Sequence, residues 1–508
     1  MADQITTADK RRSTWRSRAL ACLAATALSA LAGCSVGPNF KRPAAPDVDG
    51  YTPHPLSATA AVENVSGGEA QRFAKGQDIS ADWWTLFHCA PLNELIGAAL
   101  ANNHDLKAAQ AALTVARENV LAQRGAYYPS VAANFSASRQ RQSGQVAPAL
   151  NSNAFLYDLF TPQVTISYAP DVFGLNRRTV ESLQAQEQEV RFQTAAAYTT
   201  LTANVVVTVI QAASLRMQIE ATRQLIDINS NTVDILRYQF DKGYASRLDL
   251  AAQESQLAQV TATLPPLLKQ LAQARDLLAV LVGRFPNQPP EDALDLSALQ
   301  LPQDLPVSLP SNLVAQRPDV LQAEANLHDA SAKIGIAVAN RLPNILLTAN
   351  AGSTAAAMNQ LFTSGTGSWA LGAAATAPIF QGGTLLHQER AARAAYTQAA
   401  EQYRSTVLTA FQNVADTLTA LEQDAEGLKA ASGAADAAKV TLDLAQRQLQ
   451  GGYTGYLALL NAEQAYQQAR INLVQAQANR YSDTAALFQA LGGGWWHRAE
   501  MVTDQHEK

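Results

Sequence analysis

Glycine and proline are both absent from residues 175–242, so this stretch lacks the two residues that break helices most strongly. At 1.5 Å per residue, an uninterrupted helix of that length would extend about 100 Å. Ile226, Val233 and Phe240 recur at intervals of seven, which predicts one amphipathic packing helix. A membrane span is not predicted, because the most apolar part, residues 201–213, is short and contains polar side chains.

Concentrated positive charge and catalytic motifs are also lacking. The formal net charge is −5 and the basic residues form no stripe, so nucleic acid is not an expected partner. The sequence contains no His-Glu-x-x-His motif, no Gly-x-Ser-x-Gly motif and no phosphate-binding loop, so an enzyme is not predicted. His88 and Cys89 could in principle bind a metal, but two ligands without a third make a poor site. A packing role is favoured for this pair, and no metal or cofactor is expected.

The N-terminus has the pattern of a bacterial targeting segment. Several basic residues precede an apolar run at residues 19–31, which ends in Leu31-Ala32-Gly33-Cys34. Small residues before a cysteine at this place resemble a lipobox, in which Cys34 is acylated and becomes the first mature residue. Residues 1–33 are therefore predicted to be a lipoprotein signal peptide. Ser35 is not the aspartate that commonly retains such lipoproteins at the inner membrane, so sorting to the outer membrane is expected.

The period of the sequence changes along the mature chain. Residues 34–90 are rich in Pro, Gly, Ala and Ser and are interpreted as an acylated N-terminal arm. A helix is predicted from Pro91 to about Ala126. Apolar residues then alternate with small or polar ones at about residues 130–141 and 162–170, which predicts a β-hairpin.

The same order of elements occurs twice. Residues 105–113 match residues 319–327, and alternation recurs at about residues 344–353 and 368–377 ahead of a second long helix at residues 384–450. The predicted domains are a first repeat at residues 91–284, a proline-dense linker at 285–310, a second repeat at 311–492 and a C-terminal tail at 493–508.

Four strands with one apolar face cannot close a barrel alone, whereas a transmembrane sheet must close to leave no unpaired edge. Two chains would supply eight strands and three would supply twelve, and both numbers occur in outer-membrane barrels. A small soluble sheet that caps a coiled coil is the alternative that the patterning leaves open.

Several motifs together identify a family. They are the lipobox with Gly37-Pro38-Asn39-Phe40-Lys41-Arg42-Pro43, Trp83-Trp84-Thr85-Leu86-Phe87, Arg317-Pro318-Asp319-Val320, Tyr456-Leu457-Ala458-Leu459-Leu460-Asn461-Ala462 and Leu491-Gly492-Gly493-Gly494-Trp495. Over essentially the whole mature chain, the sequence resembles the TolC-like outer-membrane efflux channels, in the lipoprotein branch that includes OprM- and NodT-type proteins.

This resemblance implies a mainly α-helical fold with a transmembrane β part. In such a fold a homotrimer builds a twelve-strand barrel in the outer membrane, continued by an α-helical barrel in the periplasm. It implies a lipid-anchored, membrane-spanning protein of a Gram-negative bacterium, which acts as the passive conduit of a tripartite efflux pump. The implied partners are a periplasmic adaptor, an inner-membrane pump and outer-membrane lipid. An open conduit recognises little, so substrate specificity is expected in the pump.

The resemblance also implies site residues at the two turns that follow the long helices. In the resembled family these turns meet the adaptor, which places docking at Gly243, Tyr244, Gly452 and Tyr453. A plain helix stop is the alternative interpretation of each glycine.

The periplasmic gate departs from the family pattern. Members commonly close the entrance with leucine and aspartate rings and an arginine three positions beyond the aspartate. Here the matching residues are Leu457, Asn461 and Gln464, so an acidic ring is missing at this level. Asp249 in the first repeat matches another acidic position and is the remaining candidate. Alternatively, Asp249 is a solvated residue at a helix start, where a carboxylate suits the helix dipole.

Two other classes of protein fit less well. A lipid-anchored periplasmic adaptor would have one helical hairpin flanked by compact β domains, not a duplicated helix and strand unit. A structural coiled-coil protein of the envelope would lack four strands compatible with a membrane.

Overall fold

The computed structural model describes residues 35–54, 56, 58–148, 150, 152–290 and 294–499. Most of these residues are helical. The helices are α1 (Ala90–Asn102), α2 (His104–Arg124), α3 (Leu175–Asp241), α4 (Arg247–Leu281), α5 (Pro310–Gln316), α6 (Pro318–Ala339), α7 (Thr384–Gln450) and α8 (Tyr456–Ala490). The strands are β1 (Arg72–Lys75), β2 (Ser130–Arg141), β3 (Leu156–Tyr168), β4 (Asp304–Val307), β5 (Asn344–Ser353) and β6 (Gly367–Thr376).

The chain forms two compact units, and each is assembled from three separate stretches. The first unit comprises Met1–Arg42, Thr114–Gln188 and Glu324–Gln402. The second unit comprises Pro43–Leu113, Glu189–Ala323 and Tyr403–Lys508.

The first unit contains a four-stranded antiparallel sheet with the strand order β2-β3-β5-β6. Ile166 of β3 lies opposite Val131 of β2 and Ala349 of β5, and Ala349 lies opposite Leu371 of β6. Because directly opposite residues share a face of a sheet, these four apolar residues form one row across it. Thr165 belongs to the other face. The register therefore confirms that one face of the sheet is apolar.

Strand β3 begins earlier than the sequence predicts, at Leu156 instead of about residue 162. Proline lacks a backbone N–H, so Pro162 reads in the sequence as a boundary. In the structure Pro162 lies opposite Phe135 on β2, just outside the register that pairs β3 with β5. Pairing resumes beyond the proline, where Phe160 and Ala355 exchange two backbone hydrogen bonds at 2.9 and 3.1 Å, so β3 continues through Pro162 with the ladder interrupted only locally.

The predicted helix from Pro91 to about Ala126 is wrong, because the structure divides it at Asn103. The Asn103 backbone is not helical, with φ −58° and ψ 127°. Its side-chain oxygen accepts a hydrogen bond from the Leu106 backbone N–H at 2.9 Å, and its amide donates to the Leu281 carbonyl at 3.1 Å. Asparagine competes with the helix by forming such bonds, so Asn103 ends α1 and caps α2.

The predicted arm and the predicted linker both contain a short strand that sequence patterning missed. Strands β1 and β4 form a two-stranded parallel sheet, in which Arg72 lies opposite Asp304 and forms an ion pair with it at 2.9 Å. Each strand has four residues, which is too short for alternation to be distinguished from chance.

The core of the second unit is rich in aromatic side chains. Trp83 stacks on Phe488 with ring centroids 5.0 Å apart, and Trp83, Phe87 and Tyr481 are all buried. Arg480 is also fully buried, and its guanidinium donates hydrogen bonds to backbone carbonyls of the segment before β1. A buried charge is tolerated when such bonds replace water.

Among the described residues one helix, α3, is apolar enough by length and composition to cross a membrane. Two thirds of its most apolar window (67%) is buried inside the structure. A core helix passes the same test, so this window is weak evidence for a span.

Candidate functional site

The two turns between α3 and α4 and between α7 and α8 have the same local geometry. Gly243 has φ +78° and Gly452 has φ +73°, in the left-handed region that glycine adopts without a steric penalty. The Tyr244 N–H donates to the Gln239 carbonyl at 2.8 Å, and the Tyr453 N–H donates to the Gln448 carbonyl at 2.9 Å. With the bond that each glycine N–H donates three residues back, this is the Schellman pattern that ends an α-helix.

The glycines therefore act as helix stops, and the surfaces around them are open. A Cβ atom built on Gly243 or on Gly452 has no atom within 4 Å. The adjacent tyrosines are almost fully solvent-exposed, Tyr244 at 84% and Tyr453 at 87%. Large aromatic side chains exposed at a helix turn are suited to contact with another protein.

The second unit brings the ends of these helices together. The Tyr456 hydroxyl at the start of α8 donates to the Gln239 side chain at the end of α3, at 2.6 Å. The Tyr456 ring also packs against a buried cluster that contains Leu236 of α3 and Leu250 of α4. The two turns are therefore parts of one packed helical end.

The predicted gate residues Leu457, Asn461 and Gln464 lie on one face of α8, because their spacing of four and three residues matches the helical period. All three are exposed. The Gln464 side-chain amide donates to the Gln256 side-chain oxygen of α4 at 2.7 Å. The structure therefore joins Gln464 to α4 and leaves Leu457 and Asn461 available on the surface.

Asp249 has a local partner. Its backbone N–H donates to the Ser246 hydroxyl oxygen at 3.1 Å, and the Ser246 backbone N–H donates to the Asp249 carboxylate at 3.4 Å. These reciprocal bonds form a capping box at the start of α4. The capping role agrees with the interpretation of Asp249 as a residue at a helix start, and it holds the carboxylate in a fixed position.

Sequence reasoning missed the most unusual titratable group of this helical end, Glu463. Its side chain is 1% exposed, and neither carboxylate oxygen has a hydrogen-bond partner in the part of the chain that the structure describes. Burial raises the pKa of Glu463 to about 7, and the nearby Gln253 amide opposes this rise. The signal available in the sequence is only that an acid follows Ala462, which gives no indication of burial.

The proposed lipidation site Cys34 lies outside the described residues, but the segment that follows it is held tightly in the first unit. The Arg178 guanidinium donates to the carbonyl of Val36 at 2.9 Å and to the side-chain oxygen of Asn39 at 2.8 Å. Phe40 stacks on the His328 ring at 4.3 Å. Residues directly after Cys34 are thus fixed to α3 and α6.

Cys89 is buried directly before α1, and His88 has φ +49° at the end of a short 3-10 helix. The described residues contain no group of three or more His, Cys, Asp or Glu side chains that could hold a metal ion.

Known proteins match both halves of the chain. The sequence model of the family described as outer membrane efflux protein matches residues 95–284 and 309–493. The chain is 31% identical over 479 residues to the toluene efflux pump outer membrane protein TtgF of Pseudomonas putida, and the match covers 92% of this chain and 95% of that relative. It is 29% identical over 478 residues to the outer membrane protein OprJ of Pseudomonas aeruginosa, with 93% and 95% covered.

Solved structures of outer-membrane channels are also similar to this chain. The outer-membrane channel OprN is 25% identical with a TM-score of 0.76, and the match covers 91% of this chain and 100% of that chain. The open state of the MtrE outer membrane channel of Neisseria gonorrhoeae is 26% identical with a TM-score of 0.76, and 91% and 99% are covered.

Proposed function

This chain belongs to the outer membrane efflux protein family, and we propose that three copies of it form the outer-membrane channel of a tripartite efflux pump. The observation that carries the trimeric channel is the sheet β2-β3-β5-β6, which has one apolar face and two edge strands. In a membrane, unpaired edges are costly because no water is present to bond their N–H and C=O groups.

Closure across copies satisfies these edges. Neighbouring strands alternate in direction through the sheet, so β6 of one copy can pair with β2 of the next and continue the antiparallel order. Three copies give twelve strands, an even number within the range of bacterial barrels. Tyr128 and Trp369 are exposed near strand ends, where aromatic side chains favour the membrane interface.

The number of chains in the purified particle and its conductance test this proposal. The full-length protein, purified in detergent, is expected to elute as a particle of three chains and to form pores in planar lipid bilayers. Mass determination that counts the bound detergent, followed by conductance recording, measures both properties. A monodisperse, water-soluble monomer without conductance would rule out the channel.

The cargo is proposed to be toxic small molecules, which an inner-membrane pump and a periplasmic adaptor deliver. Relatives are named for toluene, antibiotic and solvent efflux. We propose that the exposed turns at Gly243, Tyr244, Gly452 and Tyr453 are the surface on which the adaptor docks.

We further propose that the mature protein is anchored by lipid on Cys34. The hydrogen bonds from Arg178 to the segment at residues 35–42 support this, because they fix the chain directly after the anchor. A clickable fatty acid is expected to label the wild-type protein and not Cys34→Ala, in which the acylated thiol is missing. Equal labelling of both proteins would exclude this anchor. Transport by Cys34→Ala is expected to continue, because the barrel also keeps the protein in the membrane.

The entrance constriction is proposed to lie at Leu457, Asn461 and Gln464, with Asp249 as the remaining acidic position. A ring of carboxylates binds cations, whereas Asn461 carries no charge. Block of the channel by divalent cations is therefore expected to be weak in the wild type and stronger in Asn461→Asp. Asp249→Asn is expected to weaken the remaining block while keeping an oxygen that can cap α4.

Single-channel conductance with added divalent cations measures the block. Asn472→Asp is the matched control, because it adds the same charge to the same helix about 16 Å further along. Strong block of the wild type that neither Asn461→Asp nor Asp249→Asn changes would show that the constriction lies elsewhere.

A further inference from the structure

Glu463 has surroundings that do not match its charge. It lies on α8 between two exposed gate residues, Asn461 and Gln464, yet its own side chain is buried. Both carboxylate oxygens are buried without a hydrogen-bond partner among the described residues. Leaving a charged carboxylate in such a place is costly, so the neutral acid is favoured there.

The elements packed around this part of α8 present neutral side chains. Leu442 and Ala445 of α7 form a buried cluster with Leu459 and Ala462, which lie four residues and one residue before Glu463 in α8. The Gln253 amide of α4 is near enough to lower the pKa of the carboxyl against the effect of burial, but it donates its hydrogen bond to the Asn229 side chain of α3 at 2.9 Å. Burial raises the pKa of Glu463 and the Gln253 amide lowers it, and neither carboxylate oxygen has a basic partner among the described residues.

The corresponding acid of the first repeat has a counter-ion that Glu463 lacks. Glu254 and Glu463 both lie eleven residues after the turn glycines, Gly243 and Gly452. Glu254 is partly exposed and forms an ion pair with Arg237 at 3.1 Å. Arg237 lies six residues before its glycine, and the residue at that place in the second repeat is Gln446. The second repeat therefore keeps the acid, buries it and lacks the counter-ion.

We propose that Glu463 is a proton-dependent lock: the helical end is packed when Glu463 is protonated, and ionisation of Glu463 favours the separation of α8 from α4 and α7. The regulation of channel opening by this lock rests on the proposed function, because it assumes that the packed helical end closes the entrance. The lock itself depends only on the packing of Glu463.

The direction of the pH dependence follows from the pKa of Glu463. In the packed state its pKa is about 7, compared with 4.5 for a solvated glutamate. The packed state is therefore fully favoured below pH 4.5, and this advantage is lost as the pH rises to about 7. For each Glu463 that becomes solvated on opening, the opening equilibrium shifts about tenfold per pH unit within this window.

The experiment compares the full-length wild type with Glu463→Gln and with the matched control Glu254→Gln. Glutamine keeps the shape of the neutral acid and cannot ionise. Infrared spectroscopy of the purified protein near pH 6 is expected to show the band of protonated carboxyl in the wild type and in Glu254→Gln. Glu463→Gln is expected to remove part of this band and to leave the contribution of Asp424, whose pKa is also raised to about 7. Hydrogen exchange of residues 456–470 of α8, which exclude Asp483 and its partner Asp424, is corrected for its intrinsic pH dependence. It is expected to rise up to about tenfold per pH unit between pH 5 and 7 in the first two proteins only.

Conductance extends the test to channel opening. The open fraction of wild-type pores is expected to increase over the same pH window, and Glu463→Gln is expected to abolish this increase and to stay at the acidic level. The lock is refuted if Glu463→Gln removes none of the carboxyl band of the wild type, or if the pH dependence of exchange survives in Glu463→Gln. A wild type with the band and the exchange behaviour but without any pores would refute the proposed function and leave the lock in place.

Discussion

Gly452→Trp is expected to abolish efflux while the protein still folds, inserts and assembles. The left-handed conformation at Gly452 costs a tryptophan about 1–2 kcal/mol, which a large folded unit can tolerate. The structure provides open space for the new side chain, since a Cβ atom at this position has no neighbour within 4 Å. Loss of function would then arise from a partner that can no longer approach the turn.

The measurement is resistance to exported drugs in a strain that lacks its own channel, together with the amount of trimer in outer-membrane fractions. We expect resistance to fall to the level of the empty strain and the trimer to stay at the wild-type level. Gly365→Trp is the matched control, because Gly365 also has a positive φ, +92°, and an open surround, but lies in the loop between β5 and β6. Normal resistance in Gly452→Trp would exclude the turn from docking, and equal loss in both variants would indicate a general effect of tryptophan.

Ile166→Arg is expected to destabilise the membrane-inserted barrel by about 2 to 4 kcal/mol, because a charged side chain on the lipid face must leave water. Ile166 is 40% exposed and lies in the apolar row with Val131 and Ala349. Leu347→Arg is expected to behave in the same way, since Leu347 lies opposite Tyr168 on the same face.

Thr165→Arg is the matched control for the lipid face. Thr165 is the adjacent residue on the same strand and belongs to the opposite face, which the proposed barrel turns to its aqueous interior. The midpoint of reversible urea unfolding in lipid vesicles measures the effect, and we expect the control to lose much less stability than Ile166→Arg. Equal destabilisation by Ile166→Arg and Thr165→Arg would contradict the assignment of faces and would favour a soluble sheet.

Local patterns in the sequence were sufficient for the regular elements. The absence of glycine and proline sets the limits of α3, which ends one residue earlier than predicted, at Asp241. Alternation predicts which side of β2 is apolar, because a strand places successive side chains on opposite faces whatever its partners are. The turn glycines were also recognisable, since few other residues adopt the left-handed conformation that ends a helix.

Features that depend on distant parts of the chain could not be predicted in this way. Strand β1 exists because it pairs with β4, which is 232 residues away at Arg72 and Asp304. The extension of β3 through Pro162 depends on its pairing with β2 and on the backbone bonds between Phe160 and Ala355. In each of these places the sequence pattern is weak or misleading, and a hydrogen-bonded neighbour decides the conformation.

The sequence by itself determined the family, the long helices, the apolar strand face and the missing charge at Asn461, because each is carried by residue identity and local spacing. The tertiary structure alone decided what surrounds each titratable group. Asp249 and Glu463 are both acids near a helix start, yet one forms a capping box and the other is buried without a partner. The difference arises because the packing of α8 buries Glu463 near Gln253 of α4. The free energy of a carboxylate depends on its solvation and on its neighbours as well as on its position in the chain.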